Sequence, residues 1–238
     1  MGTRFLPLLM LWLACAPPPP IPGVVRPNPG EKLKSIAGPM PGFGPFDSRM
    51  DALVAACPLI LSKPRATAGR PSDQNFEVRW RLSSEYCAWL YYTPDSKYEM
   101  SMLVEDSSQD DLIRRSCQLP LLVEDKRYPL DNLRYIYILH NHPAPLTLSE
   151  RDVRAIVEAA KVHGRVVETK EGSIPVAIIA FFSNSSDPES PSCDGFFEYS
   201  LQTNKLVRWT PDDQGHWSEK KAGTVTWFSE TRFRIDLE

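Results

Sequence analysis

Histidine is scarce in this chain, with four among 238 residues. No CxxC pair occurs among the five cysteines, so a zinc site of paired cysteines is not expected. Basic charge is not in excess either: 27 Lys and Arg face 30 Asp and Glu, for a formal net charge of −3. Nucleic-acid binding rests on a clustered cationic face, so no nucleic-acid partner is expected. The mixed-charge stretch "SEKKAG", residues 218–223, is read as a solvated turn. No internal repeat is evident. The N-terminal apolar run from Phe5 to Ala14 has ten residues, about half of the roughly 20 needed to span a bilayer.

That run fits something shorter than a membrane span. One Arg, the apolar stretch and then Leu13-Ala14-Cys15 have the layout of a secretory signal. The last three residues resemble a bacterial lipoprotein cleavage site, in which Cys15 would become the acylated first residue. Trp12 stands where such sites favour a small aliphatic side chain, so an ordinary cleaved signal is the second reading, beside a short apolar N-terminus that is never processed. The first two readings send the chain out of the cytoplasm, to the cell envelope. In an oxidising compartment Cys57, Cys87, Cys117 and Cys193 form an even set, with up to two disulfides and three connectivities.

Residues 16–45 hold ten prolines and five glycines. Such a stretch is expected to form neither helix nor sheet and to act as a semi-stiff tether. The folded domain is placed at 46–238. "FDSRMDALVAACP" has a capping box at Ser48 and Asp51, helical spacing, and Pro58 to end it. "FEVRWRL" alternates at period two and is read as a strand. "YCAWLYY" and "YEMSMLV" flank a turn at Pro94–Lys97 and read as a hairpin. "SSQDDLIRRSC" and "LLVEDKRYPLDN" read as polar connections. "LRYIYILH" is a strand, "SERDVRAIVEAAKVHG" an amphipathic helix capped by Ser149 and ended at Gly164, and "IPVAIIAFFS" a central strand. A hairpin around Asn204 and a last strand in "TVTWFSETRFRI" follow. Strands with two helices at separate places imply an α/β or α+β domain.

The chemistry concentrates at "HNHPAPLTLSERD", residues 140–152. His140 and His142, at i and i+2 of a strand, point to one face, so both imidazoles can reach one ion. Asp152, in the first turn of the following helix, is the candidate third ligand of a metal site with an open position. Ser149-x-x-Asp152 is also capping-box spacing, which by itself only starts a helix. His163, near the helix end, is suited to the helix dipole, and His216 reads as a loop residue.

HxHP and SxxD, with six residues between His142 and Ser149, resemble the motif of the JAMM (MPN+) metallopeptidase family, whose pattern also has a glutamate upstream at a strand start. Glu85, before "YCAWLYY", occupies that place; Glu99 and Glu105 are rival acids without the strand-start context. The resemblance covers roughly residues 46–200. It implies an α/β, JAMM-like (cytidine-deaminase-like) fold, a mixed β-sheet flanked by helices in a single domain. It further implies that His140, His142 and Asp152 hold Zn2+, that Glu85 is the base acting on the attacking water, and that Ser149 helps stabilise the oxyanion. Two departures bear on the substrate groove: the spacer is one residue shorter than is common, and Ala88 stands where a glycine is usual. Peptide or isopeptide cleavage is the implied activity. A lipid-anchored envelope protein would meet a peptide, an isopeptide or a peptidoglycan-like cross-link. The competing class is a non-catalytic binding or scaffold module of the same fold.

Overall fold

The computed structural model describes residues 19–28, 30–106 and 118–238. The expected signal segment with Cys15, the connection 107–117 and its Cys117 lie outside the described residues. In chain order the elements are β1 (Val24–Val25), β2 (Ser35–Gly38), α1 (Arg49–Leu61), α2 (Phe76–Leu82), β3 (Glu85–Tyr92), β4 (Tyr98–Met100) and β5 (Leu103–Asp106). There follow β6 (Leu122–Asp125), β7 (Arg134–Asn141), α3 (Glu150–His163), β8 (Val166–Thr169), β9 (Gly172–Pro175) and β10 (Ala177–Phe182). The chain closes on β11 (Gly195–Ser200), β12 (Lys205–Pro211), β13 (Trp217–Trp227) and β14 (Phe233–Leu237). No helix among the described residues is long and apolar enough to cross a membrane.

A mixed sheet of ten strands organises the domain, in the order β1-β5-β3-β7-β10-β11-β12-β13-β14, with β4 also pairing β3. β7 and β10 are parallel, which demands a crossover, and α3 with the β8–β9 hairpin supplies it. β3 runs antiparallel to β7 on the other side. Every residue of β3 and of β10 is buried, because helices cover both faces. From Tyr137 on, past an irregularity at Ile136, successive side chains along β7 alternate between those faces. Tyr137 accepts a hydrogen bond at its hydroxyl from Arg49 Nη1 of α1 (2.9 Å), while His140, of opposite parity, meets Asp152 of α3. α1 and α3 therefore lie on opposite sides of the sheet. This is a mixed α/β domain with a large mixed sheet and three helices.

Several expectations need correction. The proline-rich stretch is not a bare tether from residue 19 on: β1 pairs in parallel with β5, and β2 with β6. Ile36, Met40 and Phe43 join the core, and Met40 N–H bonds to Met100 O at 2.7 Å. Short edge pairing tolerates flanking prolines, since these strands need few donors. "LLVEDKRYPLDN" accordingly contains β6. α1 continues through Pro58 to Leu61, because Ile60 and Leu61 are buried and hold the last turn. "FEVRWRL" is helix α2, not a strand. Phe76 and Trp80 stack across one turn at 5.9 Å, and Arg79 reaches back to Ala68 O (2.8 Å) and Asp73 (2.9 Å). "SEKKAG" lies within β13, its residues 218–221 exposed along the strand. The region of the expected last strand holds the β13–β14 hairpin.

One disulfide joins Cys57 to Cys193 across 136 residues of sequence. It ties α1 to the segment before β11. Cys87 is disulfide-bonded as well.

Candidate metal centre

The site begins at the end of β7. His142 lies just past the strand, yet its N–H donates to Phe181 O at 2.8 Å, so the pairing with β10 extends one residue further. That keeps His140 and His142 on the α3 face, with ring centroids 4.8 Å apart. The turn after it is short and anchored: Pro143 O accepts from Ala68 N–H (2.6 Å), and Leu148 is buried. Leu146 O faces back onto His142 Nδ1 at 2.8 Å. A proton on Nδ1 satisfies that carbonyl and turns the Nε2 lone pair towards the site.

The turn delivers the chain to Ser149, the N-cap of α3. The capping box is complete. Ser149 Oγ accepts from Asp152 N–H (3.3 Å), and Asp152 Oδ2 accepts from Ser149 N–H (2.7 Å) and Oγ–H (2.8 Å). The same carboxylate meets both histidines: Oδ1 is 3.3 Å from His140 Nε2 and Oδ2 is 3.4 Å from His142 Nε2. The cap and the ligand cluster are thus one construction, in which the hydrogen bonds of the helix start aim the carboxylate. The ligand atoms of His140, His142 and Asp152 all lie within 4.8 Å of one another, and this group could hold a metal ion.

A test of that fit comes from His140. Its Nε2–Asp152 approach lacks hydrogen-bond direction, and both ring nitrogens are buried without a hydrogen-bond partner. Buried polar atoms are nearly always paired, so an imidazole left open beside a carboxylate and a second imidazole fits a cation. Two nitrogens and one carboxylate oxygen are a common donor set for zinc. Electrostatics agree. Burial by itself would raise the Asp152 pKa, but the two imidazoles hold it well below the ordinary carboxylate range. For His142 burial opposes charge, and Asp152, with a smaller effect from Glu85, outweighs it and carries the pKa up to about 9.

Glu85 enters through sheet register. β3 and β7 pair as Cys87 with His140, Ala88 with Leu139 and Trp89 with Ile138. Continued by two residues, that register sets Glu85 opposite His142 on the same face. The glutamate is 9 % exposed and lines an open cleft of about 640 Å³ together with His142, Ser149, Asp152, Trp80 and Arg151. A smaller cavity of about 160 Å³ lies on the other side of Arg151 and Asp152, against His140 and Trp89. All five residues read from the motif thus gather at one place.

The rival acids are committed elsewhere: Glu99 to Arg127 (2.6 Å), and Glu105 to Arg26 and Ser84. His163 is not a cationic helix cap. Its ring stacks on Tyr135 at 4.0 Å, and burial pushes its pKa down. His216 sits in the Asp212–His216 turn, as a loop residue should. Sequence reasoning missed Trp80, because α2 was read as a strand. It also missed the Leu146 carbonyl, which has no sequence signal, and Asn141, the residue between the two histidines. The chain matches no protein-family model, no curated protein and no solved structure.

Proposed function

We propose that this chain is a zinc-dependent hydrolase of amide bonds, a metallopeptidase or isopeptidase of JAMM (MPN+) type with the corresponding JAMM-like fold. One observation carries the reading: His140, His142 and Asp152 converge, both ring nitrogens of His140 lack a hydrogen bond, and Glu85 lines the same cleft. Zinc, when held by these three residues, supplies Lewis acidity that acidifies water and polarises a carbonyl oxygen.

The chain's own residues do the rest. Glu85, on the cleft side of His142, accepts a proton from the attacking water as the new carbon–oxygen bond forms. The same carboxyl returns that proton to the amine nitrogen as the carbon–nitrogen bond breaks. Asp152 keeps its ligand oxygen aimed through the capping box, and Leu146 O fixes the His142 tautomer. Ser149 is placed in the cleft wall with its hydroxyl proton given to Asp152 Oδ2. To assist a developing oxyanion that hydroxyl must turn away from Asp152.

The substrate reading follows compartment. Disulfide bonding at Cys57, Cys193 and Cys87 supports an oxidising location, in keeping with the signal-like residues 1–15. An envelope peptide, isopeptide or peptidoglycan-like cross-link is the proposed substrate class, met by a protein attached to the membrane through lipid on Cys15. Cys15→Ser should release it from membrane fractions; unchanged fractionation would leave an ordinary cleaved signal.

The test of function is Glu85→Gln. It keeps size and hydrogen bonding but cannot take a proton, so zinc content should hold while hydrolysis falls roughly 10²–10⁴-fold. Near-normal turnover in Glu85→Gln would remove the base from the scheme. A wild-type chain that holds no metal and cleaves none of the peptide, isopeptide and peptidoglycan probes would be the binding module instead.

A further inference from the structure

β3 and β7 pair only as far as Cys87 and His140. Beyond that point the ladder leaves backbone groups of the incoming strand without partners, at the place where Glu85 must be held. Asn141 fills the gap. Its Oδ1 accepts from Tyr86 N–H at 2.7 Å, and its Nδ2 donates to Ser84 O at 3.0 Å and to Ala66 O at 2.6 Å. One oxygen faces a donor and one NH₂ faces two acceptors, so only this amide orientation satisfies all three. The side chain is completely buried.

Two of those bonds bracket one residue: Ser84 and Tyr86 are the immediate neighbours of Glu85. Asn141 in turn is the immediate neighbour of both His140 and His142. One short side chain therefore ties the backbone carrying the base to the backbone carrying two metal ligands. Hydrogen bonds in such a dry setting leave little freedom, since losing one exposes an unsatisfied buried group.

We infer that Asn141 is a positioning residue that sets Glu85 against the metal centre. The inference rests on the proposed role of Glu85 as base. Asn141 touches no reacting atom; it acts through the glutamate. The Ala66 bond extends the clamp to the segment leading into α2, whose Trp80 walls the same cleft.

The test compares the full chain with Asn141→Ala and Asn141→Ser, each alone and combined with Glu85→Gln. Hydrogen exchange at the Tyr86 amide should lose protection in both variants, with zinc per chain unchanged. The kcat for amide hydrolysis should fall roughly 10–100-fold with KM held, the range that a misplacement of about 1 Å produces. The acid limb of the kcat–pH profile should move, because the surroundings of the Glu85 carboxyl change. In the Glu85→Gln background the same substitutions should alter residual hydrolysis by no more than about twofold, as groups acting as one unit do not add. A side chain that only braces the fold would lower turnover by the same factor in both backgrounds, and that result overturns the inference. Unchanged kcat in both single variants overturns it too. Should Asn141→Ala fail to fold, Asn141→Ser, with a hydroxyl left to bond, carries the comparison. An active wild type indifferent to Asn141 brings down this inference alone. A wild type without zinc or hydrolysis brings down the proposed function and the inference with it.

Discussion

Two ionic clusters with buried carboxylates differ in one respect. Around Arg127 every charge is answered: its guanidinium meets Glu99 at 2.6 Å and Asp125 at 2.5 Å, while Tyr91 adds a hydroxyl to Asp125 at 3.0 Å. Around Asp152 the account stays open, with both nitrogens of His140 lacking any hydrogen bond. A closed cluster braces the fold. An open one has room for a ligand that completes it. Glu105 belongs to the closed kind, since Arg26, Arg65 and Ser84 surround it.

Substitutions at the two clusters should therefore fail in different ways. The largest effect is expected from His142→Ala, which should lose zinc and essentially all hydrolysis while far-ultraviolet circular dichroism stays native. Retained zinc in that variant would make the open cluster a bystander. Arg127→Ala is the converse. It strands two buried carboxylates at a cost of about 3 kcal/mol, near the lower end for broken buried pairs because the arginine is 44 % exposed. The unfolding midpoint should drop, and zinc per folded chain should not.

Proton competition sharpens the contrast further. In the metal-free protein His142 has its pKa raised to about 9 from an ordinary 6.5. Its contribution to stability is therefore full below pH 6.5 and is lost as pH rises through about 9. Asp152, shifted down, acts in the other sense: its contribution is present above the ordinary carboxylate pKa and is lost in acid. A zinc ion held there would have to displace the His142 proton. Its affinity should climb about tenfold per pH unit and level off near pH 9, as calorimetry across that range would register. A flat profile would mean that His142 carries no proton to displace. The smallest effect is expected from Ser149→Ala, which removes one cap bond worth about 1 kcal/mol. A loss of hydrolysis well beyond that stability change would place the hydroxyl in the reaction; an equal loss would leave it a cap.

Local periodicity explains why most of the site could be read in advance. The alternation of β7 sets His140 and His142 on one face, and the cap spacing sets Asp152 one turn after Ser149. Both facts are written within thirteen residues of sequence. Glu85 was legible because a strand start is a local feature, although its alignment with His142 comes from register. Long-range facts were not legible. Asn141 is 55 residues from Tyr86 and 75 from Ala66, and nothing near it in sequence announces those partners. α2 was misread because seven residues of alternating character suit either period, and the Phe76–Trp80 stack with the Arg79 anchors decides for helix. β1 and β2 were hidden by proline content, which said nothing of Ile36, Met40 and Phe43 entering the core.

On the reading proposed, the open cluster is a metal site. Zinc analysis of the chain lacking residues 1–15, run beside His140→Ala, tests it most directly. One zinc per wild-type chain and none in His140→Ala is the result predicted. Equal zinc in both, or none in either after incubation with the ion, would contradict it.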